Sequence, residues 1–284
     1  MRTASLAARS KFYAVDIART ALRLIFKRVR RTGSVVDAAY NLGEWDRVLK
    51  QQAWLEADDL EAFLVGTNKS RLLAKVDNEI VHIATDDYYR YRLKALGDLL
   101  MRHAGTADCL LELGAGFGYN LFALSLMNKW QRLRGLEIAP NGIAAGRRIA
   151  EHFTLGNIVS FDHIDLTNDR DPAFSEVAGS TLFTYFCIEQ IPHEVDTVIE
   201  NILRAGPKRV INIETSTEML NLTQPRDLVS LAYIRSMDYQ TRLFTVLDRL
   251  ERQGRIRILA RERMGFAPTI HYDGLLYSWE PVAT

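Results

Sequence analysis

The chain has 284 residues, 48% of them hydrophobic and 25% charged, and a formal net charge of +1. This is ordinary globular sequence, enough for one large core and a smaller accessory layer, and it excludes a disordered tract, a low-complexity polymer and a repeat array. The two cysteines, Cys109 and Cys187, sit in apolar runs that read as strands, which excludes a disulfide framework or a zinc site and predicts buried thiols. No segment is long and apolar enough to span a bilayer, and the amino terminus lacks a signal peptide's apolar core, so the expected compartment is the cytoplasm.

Residues 1–34 carry nine basic side chains (Arg2, Arg9, Lys11, Arg19, Arg23, Lys27, Arg28, Arg30, Arg31) against Asp16 alone, leaving the rest of the chain net acidic. Val15, Ala18, Leu22, Ile25, Phe26 and Val29 recur there at helical spacing. Such a basic amphipathic helix can lie on the anionic inner face of a membrane as a peripheral contact. It can equally pack on its own domain or on a second subunit of a homo-oligomer with its arginines solvated. Nucleic acid is not an expected partner, because the acidic body offers no extended basic surface.

Residues 35–105 read as a helical accessory or lid region. Trp45, Val48, Leu49, Leu55, Leu60, Phe63 and Leu64 can form an apolar face over two helices. A further helix is predicted over 86–104, from Tyr88, Tyr91, Ala95, Leu96, Leu99 and Leu100.

Residues 106–284 change texture. CLLEL (109–113), LRGLEI (133–138), IVSFDHI (158–164), TLFTYFCI (181–188), RVINIE (209–214), RIRILARE (255–262) and LLYSWE (275–280) are strand candidates. Helical patterns over 118–128, 140–153, 193–205 and 238–253 separate most of them. Alternating strands and helices predict an α/β, doubly wound, mainly parallel seven-stranded sheet. The last two strands are joined without a helix and should pair antiparallel at one edge.

The first strand-to-helix turn is LELGAGFGYN, with Gly114, Gly116 and Gly118 at alternate positions. The dinucleotide fingerprint G-x-G-x-x-G fails here, because its third glycine position is Tyr119. The pattern E-x-G-x-G-x-G instead resembles the first motif of the class I S-adenosylmethionine-dependent methyltransferases, a resemblance covering residues 105–215 well and the final hairpin loosely. It implies the Rossmann-like methyltransferase fold and S-adenosyl-L-methionine as cofactor, with Glu112, Gly114, Ala115, Gly116 and Gly118 around its methionine part. Glu137, ending the second strand, can accept hydrogen bonds from both ribose hydroxyls. The family also places an acidic residue near the adenine amino group, here Asp165, and apolar neighbours on the ring, here Ile138 and Leu166.

Methyl transfer from a sulfonium is an in-line displacement, and a base is needed only if the acceptor must lose a proton. Reactive residues are therefore expected just after the fourth and fifth strands. FCIEQIPHE supplies Glu189, Gln190, His193 and Glu194, and NIETSTE supplies Glu214 and Glu218. His193 is the first choice as base, because an imidazole ordinarily titrates near neutrality, with Glu189 as its orienting partner or as the base itself. Equally, Glu189 could cap a helix over 193–205 and leave His193 an exposed first-turn residue. Glu214 could hold an acceptor hydroxyl or amine, or merely cap the following segment.

EQIPH, IET and the closing YSWEP look similar to methyltransferases of bacterial surface-polysaccharide and sugar-modifying pathways. That resemblance implies O-methylation of a sugar or sugar-phosphate hydroxyl, a small carbohydrate-like partner. N-methylation of an amine, and a membrane-recruited binding protein that keeps the fold without turnover, are the competing readings. The paired aspartates of metal-dependent sugar methyltransferases are missing after the fourth strand, so no metal is expected. In HIATDDYYRYR, Tyr89 and Arg92 could contact the methionine carboxylate or the acceptor, or the segment could be an amphipathic helix with half-buried tyrosines. His103, His152, His163 and His271 show no ligand spacing.

Overall fold

In the computed structural model, residues 2–26, 30–77, 79–267 and 274–282 are described. Strand β1 (Arg2–Thr3) leads into helix α1 (Leu6–Phe26), then α2 (Gly33–Ala39), a wide π-type turn over Tyr40–Trp45, α3 (Asp46–Gln51) and α4 (Leu60–Val65). A hairpin of β2 (Arg71–Val76) and β3 (Glu79–Ala84) precedes α5 (Thr85–His103).

The alternation beyond residue 108 follows. β4 (Cys109–Leu113), α6 (Tyr119–Ser125), β5 (Arg132–Glu137), α7 (Pro140–His152), β6 (Val159–His163) and the short α8 (Phe174–Val177) form its first half. β7 (Thr181–Tyr185), α9 (Val195–Ala205), β8 (Arg209–Glu214), α10 (Pro225–Ser236), α11 (Leu243–Arg252), β9 (Ile256–Arg263) and β10 (Leu275–Pro281) form its second.

The main sheet runs β6-β5-β4-β7-β8-β10-β9. The first five are parallel, and β10 lies antiparallel to both β8 and β9, as the missing crossover helix requires. Strand order turns back between β4 and β7, so the loops beyond their carboxyl ends part and leave a crevice. Both faces are covered. Leu96, Leu100, Leu121, Phe122 and Ile149 lie in one core, and Val198, Ile199, Ile202, Leu247 and Leu250 in the other. Across the sheet interior, Trp279 Nε1 donates to Asn212 Oδ1 at 2.8 Å, and Asn212 Nδ2 donates to Thr184 Oγ1 at 3.1 Å. That chain satisfies the polar groups of three neighbouring strands where no water reaches.

The region before residue 105 departs from the all-helical expectation. β2 and β3 pair antiparallel, with Ala74, Val76, Val81 and Ile83 buried against Tyr88, and β1 joins β3 as a third strand. The signal was present as an apolar alternation on either side of Asp77–Asn78, and Asp77 takes a left-handed φ of 48° as a hairpin turn requires. α10 likewise has no counterpart in the sequence reading. The basic amino-terminal helix ends at Phe26 and lies against α10, while Ile17, Leu22 and Ile25 on it stay exposed. Among the described residues no helix is long and apolar enough to cross a membrane. Cys187 falls just beyond β7 rather than within it.

Trp279→Phe should lower the unfolding free energy by about 2–4 kcal/mol, from lost volume and an orphaned Asn212 acceptor. Urea melts check this, and a change below about 0.5 kcal/mol would remove the strand-bridging role.

Candidate active site

A cavity of about 920 Å³ opens at the carboxyl ends of β4, β5 and β7. Its floor is the glycine turn. Gly114 and Gly116 take φ of +71° and +56°, and Gly118, at +87°, is the residue before α6. A side chain at Gly114 would meet Cys187 Sγ at 2.1 Å, and one at Gly116 would meet Trp45 Cζ2 at 2.6 Å. Only glycine supplies both this backbone and this close approach.

Glu112 points up beneath this turn. It is 1% exposed; Oε1 accepts from Asn120 Nδ2 at 2.7 Å, while Oε2 is buried without a partner. Burial pushes its carboxyl up to about 8, with Glu137 adding to the rise and the Asn120 hydrogen bond and Arg92 opposing it. An orphaned buried acceptor of this kind fits a cationic ligand group.

Glu137, at the end of β5, accepts from the Gly116 N–H at 2.7 Å and the Ala139 N–H at 2.8 Å. Burial raises its carboxyl even against these donors. Each oxygen keeps a further lone pair for a ligand hydroxyl. Ile138, half exposed, and Leu166, buried, line the same cavity with Asp165, whose Oδ1 accepts from the Thr167 N–H and hydroxyl at 2.9 and 2.7 Å. Arg92 also lines it, with its guanidinium 5.0 Å from the Tyr119 ring centroid and 5.4 Å from that of Tyr185. Tyr89 does not line the cavity; it packs edge-on against Tyr88.

The loop after β7 separates the expected catalytic residues. Phe186 takes a left-handed φ of +53°, a strained turn beside the cavity. Glu214 is fully buried and does not line the cavity; its oxygens accept from the Cys187 and Glu189 N–H groups at 3.1 and 3.2 Å. It is a turn anchor rather than an acceptor ligand, and burial pushes it up to about 7. Glu189 is 2% exposed, accepting from Gln190 Nε2 at 2.8 Å and from the Thr215 hydroxyl at 2.7 Å. It makes no side-chain cap to α9, which starts after Glu194. His193 lines the mouth, half exposed, with Nε2 at 3.4 Å from Asp238 Oδ2. Asp238, not Glu189, is its carboxylate neighbour. Cys187 packs half-buried against the glycine turn, and Cys109 is half-buried too, so neither is the fully buried thiol expected; desolvation, then the surrounding Glu214, Glu137, Glu112 and Glu189, raise the Cys187 thiol well above the ordinary value.

The far wall comes from a segment that the sequence reading left unassigned to the site. Arg30, Arg31, Tyr40, Asn41 and Trp45 line the cavity together with Tyr233 and Tyr239. Asn41 fixes the segment to α7 through Asn141, whose N–H donates to Oδ1 at 3.0 Å and whose Nδ2 donates to the Asn41 carbonyl at 2.9 Å. No periodicity pointed to this wall, because the π-type turn over Tyr40–Trp45 breaks the 3.6-residue pattern. Among the described residues no group of His, Cys, Asp and Glu could hold a metal ion. His271 lies outside the described residues.

No family model matches the chain. No curated protein sequence matches it either. Solved structures do. Magnesium protoporphyrin IX methyltransferase from Synechocystis PCC 6803, with bound S-adenosylhomocysteine, aligns over 88% of this chain and 100% of its own, with a TM-score of 0.54 and 13% identity. The chain has the Rossmann-like methyltransferase fold. Geranyl diphosphate C-methyltransferase from Streptomyces coelicolor A3(2) aligns over 68% of this chain and 80% of its own, with a TM-score of 0.51 and 14% identity. The cyclase SpnF aligns over 79% and 93%, with a TM-score of 0.52 and 17% identity. The fold therefore carries more than one chemistry, and the residues of the cavity must decide which.

Glu112 supplies a pH test. Its carboxyl ionises near 4.5 in an unfolded chain and at about 8 when folded, so the unfolded state binds fewer protons in between and stability falls as pH rises through that window. Glu112→Gln should match wild type at pH 5 and exceed it by roughly 2–4 kcal/mol at pH 8. Equal melting curves at both pH values would contradict a buried carboxylate with one orphaned oxygen.

Proposed function

We propose that the protein is an S-adenosylmethionine-dependent methyltransferase that O-methylates a hydroxyl of a sugar or sugar-phosphate-type acceptor. The observation that carries this reading is the orphaned Glu112 Oε2 beneath three glycines that admit a ligand to bare backbone. When bound, the cofactor supplies an electrophilic methyl group on a sulfonium.

On this reading Glu112 holds the methionine ammonium and Arg92 its carboxylate, with Gly114, Ala115, Gly116 and Gly118 beside that part of the cofactor. Glu137 takes the ribose hydroxyls, Ile138 and Leu166 face the adenine, and Asp165 takes its amino group. Six acidic residues line the cavity (Asp37, Glu112, Glu137, Asp165, Glu189 and Glu194) against three arginines (Arg30, Arg31 and Arg92), a balance that favours a positively charged cofactor over the diphosphate of a dinucleotide.

His193 serves as the base that takes the acceptor's hydroxyl proton, with Asp238 beside the imidazole to orient it. Glu189 and Glu214 have both oxygens engaged within the loop and shape it rather than exchange protons.

Calorimetry is expected to show binding of S-adenosylmethionine and none of NAD; the reverse result would end the methyltransferase reading. In a mass-spectrometric screen over sugar, sugar-phosphate and amine acceptors, products heavier by one methyl should appear on hydroxyls. His193→Ala should then cut turnover by about 10²–10⁴-fold with cofactor affinity kept. Undiminished turnover in that variant would favour the amine acceptor.

A further inference from the structure

Arg31 is not one of the solvated charges of the basic amino-terminal stretch. It is 6% exposed and lines the cavity on the side of the loop after β7. Its N–H donates to Asp238 Oδ2 at 2.8 Å, its Nε to the Met237 carbonyl at 3.0 Å, and its Nη1 to Gln190 Oε1. The guanidinium lies 4.6 Å from the centroid of the Tyr239 ring and shares a hydrogen bond with the Tyr40 phenol. Among the described residues its partners are thus a carbonyl, an amide, a phenol and a ring, every one of them neutral. Glu189 reaches it through the Gln190 amide, whose orientation it fixes by accepting from Nε2.

A guanidinium cannot shed its charge by deprotonation, and taking it out of water costs several kcal/mol unless an anion compensates. Three of its five N–H donors are used. The side chain is held rigidly at Nε, Nη1 and its ring face, which is how a receptor rather than a mobile surface arginine is built. Asp238 ties the Arg31 main chain and the His193 imidazole to the same carboxylate oxygen, so both residues stand at one end of the cavity.

We propose that Arg31 is the anion receptor of the acceptor lobe, so that the acceptor carries a carboxylate or phosphate group beside the hydroxyl that reaches His193. The remaining guanidinium donors take the anion's oxygens, and Tyr40, Tyr233 and Tyr239 give the apolar faces against which a sugar ring rests. This rests on the methyltransferase reading and narrows its substrate class. It also weighs against a cationic amine, which would meet a fixed positive charge in the same lobe.

The test is calorimetry on protein loaded with S-adenosylhomocysteine, titrated with glucose 1-phosphate, glucuronate and glucose. Wild type should bind at least one of the two anions about tenfold or more tighter than glucose, and whichever anion wins identifies the group. Arg31→Gln should erase that preference while leaving the affinity for S-adenosylhomocysteine unchanged, which also certifies its fold. Arg31→Lys, which keeps the charge but not the planar fork, should fall between. Equal affinities for the three probes in wild type, undetectable binding of all three included, overturn the proposal. So does an anion preference that survives in Arg31→Gln. If S-adenosylhomocysteine itself fails to bind wild type, the methyltransferase reading falls and takes this proposal with it.

Discussion

Two strand-end glutamates hold the functional edge of the sheet together by the same device. Glu137, ending β5, bridges the N–H groups of Gly116 and Ala139; Glu214, ending β8, bridges those of Cys187 and Glu189. Each carboxylate gathers donors that the sheet's hydrogen-bond ladder leaves unpaired where its strands stop. The glycine turn is thereby tied to the end of β5, and the loop after β7 to the end of β8. Burying charge this way is costly, and the raised carboxyls of both residues show that cost. What it provides is preorganisation: donors and acceptors need not rearrange when a ligand arrives.

The opposite wall is built from the amino-terminal end of the chain, and its attachments are of a different kind. Segment 30–45 is clamped by Arg31 to the residues after α10, by Asn41 to α7, and by Trp45 to the glycine turn. The sheet edge and this segment thus line one cavity. One fold can host many functions, so the residues of the cavity rather than the fold carry the chemistry.

The main sheet was legible in the sequence because each of its signals is local. CLLEL, RVINIE and LLYSWE are apolar runs of strand length, and E-x-G-x-G-x-G needs only backbone geometry over a few residues. The small sheet was missed although its alternation around Asp77 was present, because the surrounding helical periodicity dominated a longer window. His193 lines the cavity beside Asp238, a neighbour that the sequence did not suggest. Glu189 is four positions away in the chain, whereas Asp238 arrives from beyond α10. Glu214 shows the reverse error: a strand-end carboxylate looks the same in sequence whether it faces a ligand or caps two backbone donors.

By itself the sequence determined the doubly wound sheet, the antiparallel closing hairpin, and the place of the glycine turn with Glu112, Glu137 and Asp165 around it. These follow from periodicity and from the conformational freedom of glycine, which the residues carry wherever they sit. The tertiary structure alone decided which charged side chains are solvated and which are enclosed. Arg31 and its basic neighbours read identically along the chain. It became a buried guanidinium because the segment carrying it folds back over Tyr239 and Gln190, more than 150 residues away, and burial is a property of the packed assembly rather than of any local pattern.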